Sequence, residues 1–364
     1  MFGAVRKWLN QQTLPLLARG CAVLGTGGGG DSTIGLMMAL QAVADYGPVP
    51  LLGLDELEDD ALIMPCGMIG APTVSIEKIE NGDEGGRLLS QVEKVCGRPV
   101  AALMSGEIGG SNGLLPTVWA ARLGLPVVDA DGMGRAFPEI PQMTMELAGI
   151  SPTPSVMTDE RGNIIVFRAC SGAWLERLER AAAVELGGAA ASAEYMLTAG
   201  QARVATVLNS LSLAIRIGTI IDQAADDPVS ALIGALPAFR LVVGKVVDVE
   251  RRTTKGFVRG SAVVEGLGSD RARVIRLEIQ NENLVALEGG SVLASVPDLI
   301  TVLDSDTSDA IATERLRYGQ RVTVIGFPCD PVWRTPAGLA LAGPRPFGYD
   351  FDYVAVEELA RARV

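Results

Sequence analysis

The chain has no histidine among its 364 residues. That excludes Ser-His-Asp and Cys-His catalytic pairs and every imidazole-ligated zinc site. Any chemistry must come from carboxylates, hydroxyls, thiols, Lys, Arg and backbone N–H groups. Aromatic residues are scarce, at 5%. Positive charge is in deficit: 31 Lys and Arg against 43 Asp and Glu leave a net charge of −12. Such a surface repels phosphate backbones and anionic lipids, so neither nucleic acid nor a membrane surface is expected as a partner. No run of about 18 uncharged apolar residues exists to span a bilayer. The first 20 residues have a weak basic start, but Arg19 interrupts the apolar run and no small-residue cleavage site follows. They read as a helix rather than a signal peptide. The five cysteines (Cys21, Cys66, Cys96, Cys170, Cys329) are odd in number and widely spaced, with no CxxC. Free thiols in a reduced cytoplasmic protein fit that pattern better than a disulfide framework.

What is present is glycine, 43 residues of it, with 48% hydrophobic residues and a mean hydropathy of +0.29. The length exceeds one ordinary core, so two domains are expected. Over about 1–150, short apolar runs (22–24, 49–53, 61–64, 99–104, 126–128) alternate with helical stretches (5–14, 32–46, 85–96, 114–123). That alternation predicts an α/β three-layer domain with a mostly parallel sheet. A hairpin is expected over 157–167, turning at 159–163. Helices are expected over 172–185 and 193–225. The second carries Val204, Leu208, Leu211 and Ile215 at helical spacing, with Gly218 continuing the face and allowing close packing. The small-residue tract 187–192 reads as a hinge or a helix start. From about Arg240 the runs become short, β-branched and punctuated by Gly, Asn and Asp, which predicts an all-β, barrel-like domain. The N-terminal domain is placed at 1–165. The C-terminal domain is placed at 166–364, including the helices near 172–225.

Four Gly-rich loops are expected to converge at the carboxyl edge of the sheet, where open α/β folds bind ligands. The first, Gly25-Thr26-Gly27-Gly28-Gly29-Gly30-Asp31-Ser32, fits a dinucleotide fingerprint by spacing, with Asp55 as a ribose-binding acid. It also fits a P-loop with Asp31 in place of Lys. Asp31 opposes both, because like charges at ~4 Å repel by about 4 kcal/mol at an effective dielectric near 20. Asp31 reads equally as an N-cap. The second loop runs over 66–73 and is followed by Glu77 and Lys78, the third over 105–113, and the fourth over 129–135.

Residue type sets the candidate chemistry. Glu107, Asp129 and Asp131 can act as acid and base, or hold a divalent metal through oxygen. Cys66 is a nucleophile candidate if Lys78 or nearby dipoles lower its pKa. Arg135 can clamp a carboxylate or carbonyl. Gly109, Gly110 and Ser111 open a helix and can present N–H groups to an oxyanion. Gly27, Gly28, Gly29, Gly30, Asp31, Asn112 and Glu77 complete the candidate substrate-binding set. Trp333, Phe347 and Tyr349 lie on Pro-rich loops and read as pocket cover or as anchors in the core.

Several segments carry a family resemblance. They are 24–31, 70–74 with Glu77 and Lys78, 106–110 with Asn112 and Gly113, 129–139, Asn281-Glu282, 297–300 and 343–349. Over about 17–356 the chain resembles a bacterial and archaeal family long catalogued as a domain of unknown function. Its members are often encoded beside hydantoinase and oxoprolinase-type subunits, and it includes S-methyl thiohydantoin desulfurase. The resemblance implies an N-terminal three-layer α/β domain, a C-terminal barrel-like domain, and hydrolysis at C2 of a thiohydantoin-like or hydantoin-like ring. Cys66 departs from the family pattern. The alternative is a non-catalytic subunit that binds a nucleotide or a hydantoinase-type partner. A homo-oligomer is expected with either.

Overall fold

The computed structural model describes residues 7–70, 74, 78, 81–224, 227–254 and 257–363. The first sheet comprises β1 (Lys7–Leu9), β2 (Val49–Leu52), β3 (Leu62–Gly70), β4 (Val100–Ser105), β5 (Val127–Asp131), β6 (Ser155–Thr158), β7 (Ile164–Phe167), β8 (Ala189–Ala193), β9 (Leu197–Thr198) and β10 (Val207–Leu208). Its order is β1-β2-β5-β4-β3-β8-β6-β7, with β10 on β5 and β9 on β3. The central strands β2, β5, β4 and β3 run parallel. Around this sheet lie α1 (Thr13–Leu24), α2 (Ser32–Tyr46), α3 (Glu84–Cys96), α4 (Leu115–Leu123), α5 (Thr144–Leu147), α6 (Gly172–Glu185), α7 (Ala199–Ala205), α8 (Ser210–Gln223) and α9 (Pro228–Ala235). The parallel strands are near-continuous apolar runs such as Val100–Met104, as burial on both faces demands.

The second sheet holds β11 (Phe239–Thr254), β12 (Phe257–Gly266), β13 (Val274–Gln280), β14 (Glu282–Glu288), β15 (Ser291–Ser295), β16 (Leu299–Asp304) and β17 (Arg321–Phe327). It is antiparallel throughout, in the order β15-β14-β13-β12-β11-β17-β16. It curls into a half-barrel around Leu241, Val246, Val264, Ile275, Leu277, Val302 and Val324. Two short helices, α10 (Pro336–Ala342) and α11 (Val356–Arg361), complete the chain. The expected two-domain α/β plus barrel-like architecture is therefore present.

Several local expectations are corrected. The 22–24 run is the last turn of α1, because Leu14, Leu17, Ala18 and Cys21 bury one helical face. The expected N-terminal helix instead contributes β1, which pairs antiparallel with β2. The long helix over 193–225 is broken into β9, α7, β10 and α8. A Thr198–Gln201 capping box starts α7, and Asn209 at φ +61° starts α8 afresh. Val204 is exposed and Leu208 lies on a strand, so the apolar spacing is not one helix face. The 187–192 tract leads into β8, which inserts between β3 and β6. The 165/166 position lies within β7.

Helices α1 and α8 meet backbone to backbone. A Cβ on Gly20 would lie 1.9 Å from the Ala214 carbonyl oxygen, and one on Gly218 would lie 1.9 Å from that of Leu16. Substituting either by Ala should force the helices apart and cost about 2–3 kcal/mol. Gly86→Ala, whose Cβ would meet Leu123 at an ordinary 3.9 Å, should be neutral or slightly stabilising. Thermal unfolding of the three variants checks this, and equal midpoints for Gly218→Ala and wild type would refute the close crossing.

Candidate functional site

A cavity of about 410 Å³ opens at the carboxyl edge of β3, β4 and β5. Its wall combines Gly29, Gly30 and Asp31 with Gly67–Gly70, Glu107, Ser111 and Asn112. Phe137, Glu139, Arg180, Glu194, Asn281 and Glu282 complete it. Methionines 37, 38, 68, 133 and 143 supply much of its apolar lining. The site thus lies between the two domains.

Glu107 follows the end of β4 in a loop built on backbone contacts. The Gly106 N–H donates to the Cys66 carbonyl at 3.1 Å, and the Gly132 N–H to the Gly106 carbonyl at 3.0 Å. The Asp131 carboxylate, at the end of β5, accepts from the N–H groups of Ile108 (2.9 Å), Met133 (3.0 Å) and Gly134 (2.8 Å). It therefore shapes both loops without reaching the cavity wall. Asn112 accepts from the Met68 N–H at 2.8 Å, while its amide donates to the Met68 carbonyl at 3.2 Å and to Glu107 Oε1 at 2.5 Å. The other Glu107 oxygen has no hydrogen-bond partner among the described residues.

The glycines of the first and third loops are there because the loops touch. A Cβ on Gly29 would lie 2.2 Å from the Gly109 carbonyl oxygen. The Ser111 and Asn112 N–H groups donate to the Gly30 and Gly29 carbonyls at 3.1 Å each. Gly28 has another neighbour: its Cβ would lie 2.1 Å from Glu282 Oε1. Glu282 comes from the turn between β13 and β14, where Asn281 sits at φ +57°. Next to it, Asn283 donates from its backbone and its amide to the Thr26 carbonyl, both at 2.9 Å. The first loop is therefore the seat on which the second domain sets Glu282.

Arg135 fastens the same seam. Its buried guanidinium donates to the carbonyls of Ala136 (2.8 Å), Pro297 (2.8 Å) and Asp298 (3.4 Å), and to Thr26 Oγ1 (2.8 Å). It also stacks on Phe137 at 4.3 Å. Trp333 donates to the Met133 carbonyl at 2.7 Å and meets Phe137 edge-on, so it is anchored in the core.

Burial dominates the electrostatics. It pushes the Glu107 carboxyl up to about 8, opposed by the Asn112 hydrogen bond and reinforced by Asp131. Glu282 rises well above the ordinary range through burial and then the nearby Glu107 carboxyl, opposed by Arg135. Glu194 rises to about 7 by burial, with Ser192 opposing. Behind it Glu179, also buried, is raised further by the Glu194 carboxyl. Asp131 rises only to about 6, because the three N–H groups offset its desolvation.

Six expected residues reach the wall: Gly29, Gly30, Asp31, Glu107, Ser111 and Asn112. Asp31 caps α2, accepting from the Thr33 N–H at 2.9 Å, and pairs with Arg315. Other expectations are corrected. Asp129 caps the first turn of α8 through Ser212 and does not line the wall. The Cys66 thiol is buried, donates to the Met104 carbonyl at 3.6 Å, and is pushed up in pKa by desolvation, the opposite of an activated thiolate. Arg135 is committed to protein carbonyls rather than free to clamp a ligand. The Ser111 N–H is engaged by the Gly30 carbonyl, and Gly109 and Gly110 pack against the first loop. Gly27 faces Thr313 and Asn283 rather than the cavity. Glu77 lies outside the described residues. The dinucleotide and P-loop readings require a strand before the Gly-rich turn, and here a helix, α1, precedes it. Among the described residues no three Cys, Asp or Glu side chains converge to hold a metal ion. Sequence reasoning missed Glu194 and Arg180, and noted Glu282 only as a family match. Those residues reach the cavity from α6, β8 and the second domain.

Two family models match the chain: S-Me-THD-like, N-terminal domain, over residues 12–169, and S-Me-THD-like, C-terminal domain, over residues 170–356. The chain belongs to the S-Me-THD-like family. No curated protein matches it. A crystal structure of a protein from Chromobacterium violaceum is similar, with a TM-score of 0.81 at 23% identity over 96% of this chain and 100% of that one. That likeness shows the fold.

Carboxyls whose folded pKa is raised stabilise the fold below their unfolded value, near 4.5, and lose that contribution as pH rises through the folded value. For Glu194 and Glu107 the window runs from about 4.5 to about 7 and about 8. Each group can cost up to ~1.4 kcal/mol per pH unit within it. The unfolding midpoint should therefore fall from pH 5 to about pH 8 and level off above it. Glu107→Gln should match wild type at pH 5 and be more stable than it at pH 9. Parallel thermal scans of both proteins would show a constant difference if Glu107 were solvated.

Proposed function

We propose that this S-Me-THD-like protein hydrolyses a thiohydantoin-like or hydantoin-like ring at C2, with Glu107 and Glu282 as an acid–base pair. One observation carries the reading. Two buried carboxyls, one from each domain, face a single cavity, and each has an oxygen without a partner among the described residues. Mutual repulsion in a desolvated volume means that they do not both ionise readily. The first to ionise is the base and the other remains the acid.

On an S-methyl thiohydantoin, the base takes a proton from water as its oxygen bonds to C2 and the C2=N electron pair moves onto the ring nitrogen. That pair re-forms C2=N as the C2–S bond breaks, the acid protonates the departing thiolate, and the C2 hydroxyl proton passes to the ring nitrogen, leaving a C2 carbonyl. The products are methanethiol and a hydantoin. Family membership supports the ring class, and the carboxyl pair supports the acid–base chemistry. No step needs a thiol nucleophile or a metal. The nucleotide-binding alternative draws no support from the first loop, whose glycines meet Gly109, Thr313 and Glu282.

Purified protein should release thiol from S-methyl thiohydantoins, read with a thiol-trapping dye, and release should survive chelator. Glu107→Gln and Glu282→Gln should each lower kcat by about 10²–10⁴-fold while remaining folded. The wild-type rate should climb toward pH 8 rather than level off at pH 5, since no carboxylate base exists until one of the pair ionises. Undiminished turnover in both variants would remove the pair from the mechanism, and absence of thiol release from every ring offered would remove the desulfurase reading.

A further inference from the structure

We infer that the cavity recognises its ring in a protonated, cyclic amidine-type form, with Glu194 accepting a ring N–H from the side opposite the acid–base pair. This deepens the proposed function and rests on it. Three buried oxygens on the wall, Glu107 Oε2, Glu194 Oε2 and Glu282 Oε2, have no hydrogen-bond partner among the described residues. Buried polar groups are rarely left so, and an orphaned carboxyl oxygen is costly. The neighbouring cations are already occupied. Lys78 donates to the Leu186 and Ala189 carbonyls at 2.6 Å each and pairs with Glu160 at 2.9 Å. Arg180 holds Glu176 at 2.8 Å and the Pro138 carbonyl at 3.0 Å, and stacks on Phe257 at 4.4 Å. Beyond the Phe137 N–H beside Glu107 and the Ser192 hydroxyl beside Glu194, a ligand bearing N–H groups would supply the further donors.

A planar ring with N–H groups on both sides of C2 supplies them. A protonated ring also returns positive charge to the carboxylates, whereas the carbonyls of a neutral cyclic urea would meet carboxylate oxygens as like dipoles. In the empty site these carboxyls hold their protons near neutrality, so a cationic ring must expel protons to bind. The groups facing them set that balance. Asp131 and Arg135 face Glu107, Arg135 and Arg180 face Glu282, and Glu176, Glu179 and Tyr195 face Glu194.

The test compares two five-membered rings differing at one atom: 2-aminoimidazolinium, cationic at neutral pH, and neutral 2-imidazolidinone. Titration calorimetry in buffers of different ionisation heat should show the cation binding at least about tenfold tighter than the neutral ring at pH 8. Its affinity should rise from pH 6 to pH 8 with net proton release. Glu194→Gln should weaken the cation about tenfold or more and the neutral ring, which loses a hydrogen bond but no ion pair, by clearly less, with the unfolding midpoint at pH 5 unchanged. A purely structural Glu194 would move both ligands together. Equal or tighter binding of the neutral ring, no detectable cation binding, or cation affinity that does not change with pH would each overturn the inference. Thiol release measured on the same preparation separates the outcomes. Release without cation preference overturns this inference alone, and cation preference without release overturns the desulfurase reading alone.

Discussion

A buried guanidinium joins the two halves of this molecule at the place where its cavity forms. Arg135 offers its donors to carbonyls of its own loop and of the second domain, and to the Thr26 hydroxyl beside the Gly-rich turn. Burial depresses it to about 10, and the surrounding carboxyls, Glu282 foremost, hold it up. A buried cation without partners would cost several kcal/mol, so the loops that satisfy Arg135 are fixed relative to each other by its needs. Planar, forked donors suit that task better than an ammonium would.

Around this clasp the structure concentrates carboxyls that water does not reach. Asp131 accepts three N–H groups at one oxygen and serves as a loop organiser, its other oxygen having no partner among the described residues. Glu107 is half satisfied, by Asn112. Glu282 and Glu194 each keep an oxygen unmatched within the described chain. Glu107, Glu194 and Glu282 differ from Asp131 in position: they line the cavity and it does not. The tight backbone packing of residues 25–30 against 109–112 lets a carboxyl from another domain line the same cavity.

The arrangement also places the site where local opening of the domain seam would alter it. Asn283, Thr313 and Arg135 all bridge the Gly-rich turn to the second domain. Setting Glu107 and Glu282 across such a seam keeps the two carboxyls apart in the unfolded chain and brings them together only when both domains are formed. Their mutual repulsion is then offset by the hydrogen bonds that close the seam.

Much of the architecture was legible from the chain alone. Periodicity and capping residues marked α2 and α6, whose expected spans of 32–46 and 172–185 agree with the structure, and β-branched runs marked the strands of the second sheet. The lack of histidine and the clustering of Gly with carboxylates pointed to the sheet edge and to Glu107. Those signals are local, and local physics suffices for them. The sequence could not separate Asp129, Asp131 and Glu107, three similar loop acids, because their roles depend on which N–H groups surround them after folding. Nor could it show that Gly28 makes room for Glu282, 254 positions later in the numbering, or that α1 rather than a strand precedes the glycines. Residue type and spacing set the elements and the supply of acids. Only tertiary packing decided which acids lose water and partners together, because desolvation and proximity belong to the folded chain and to no segment of it.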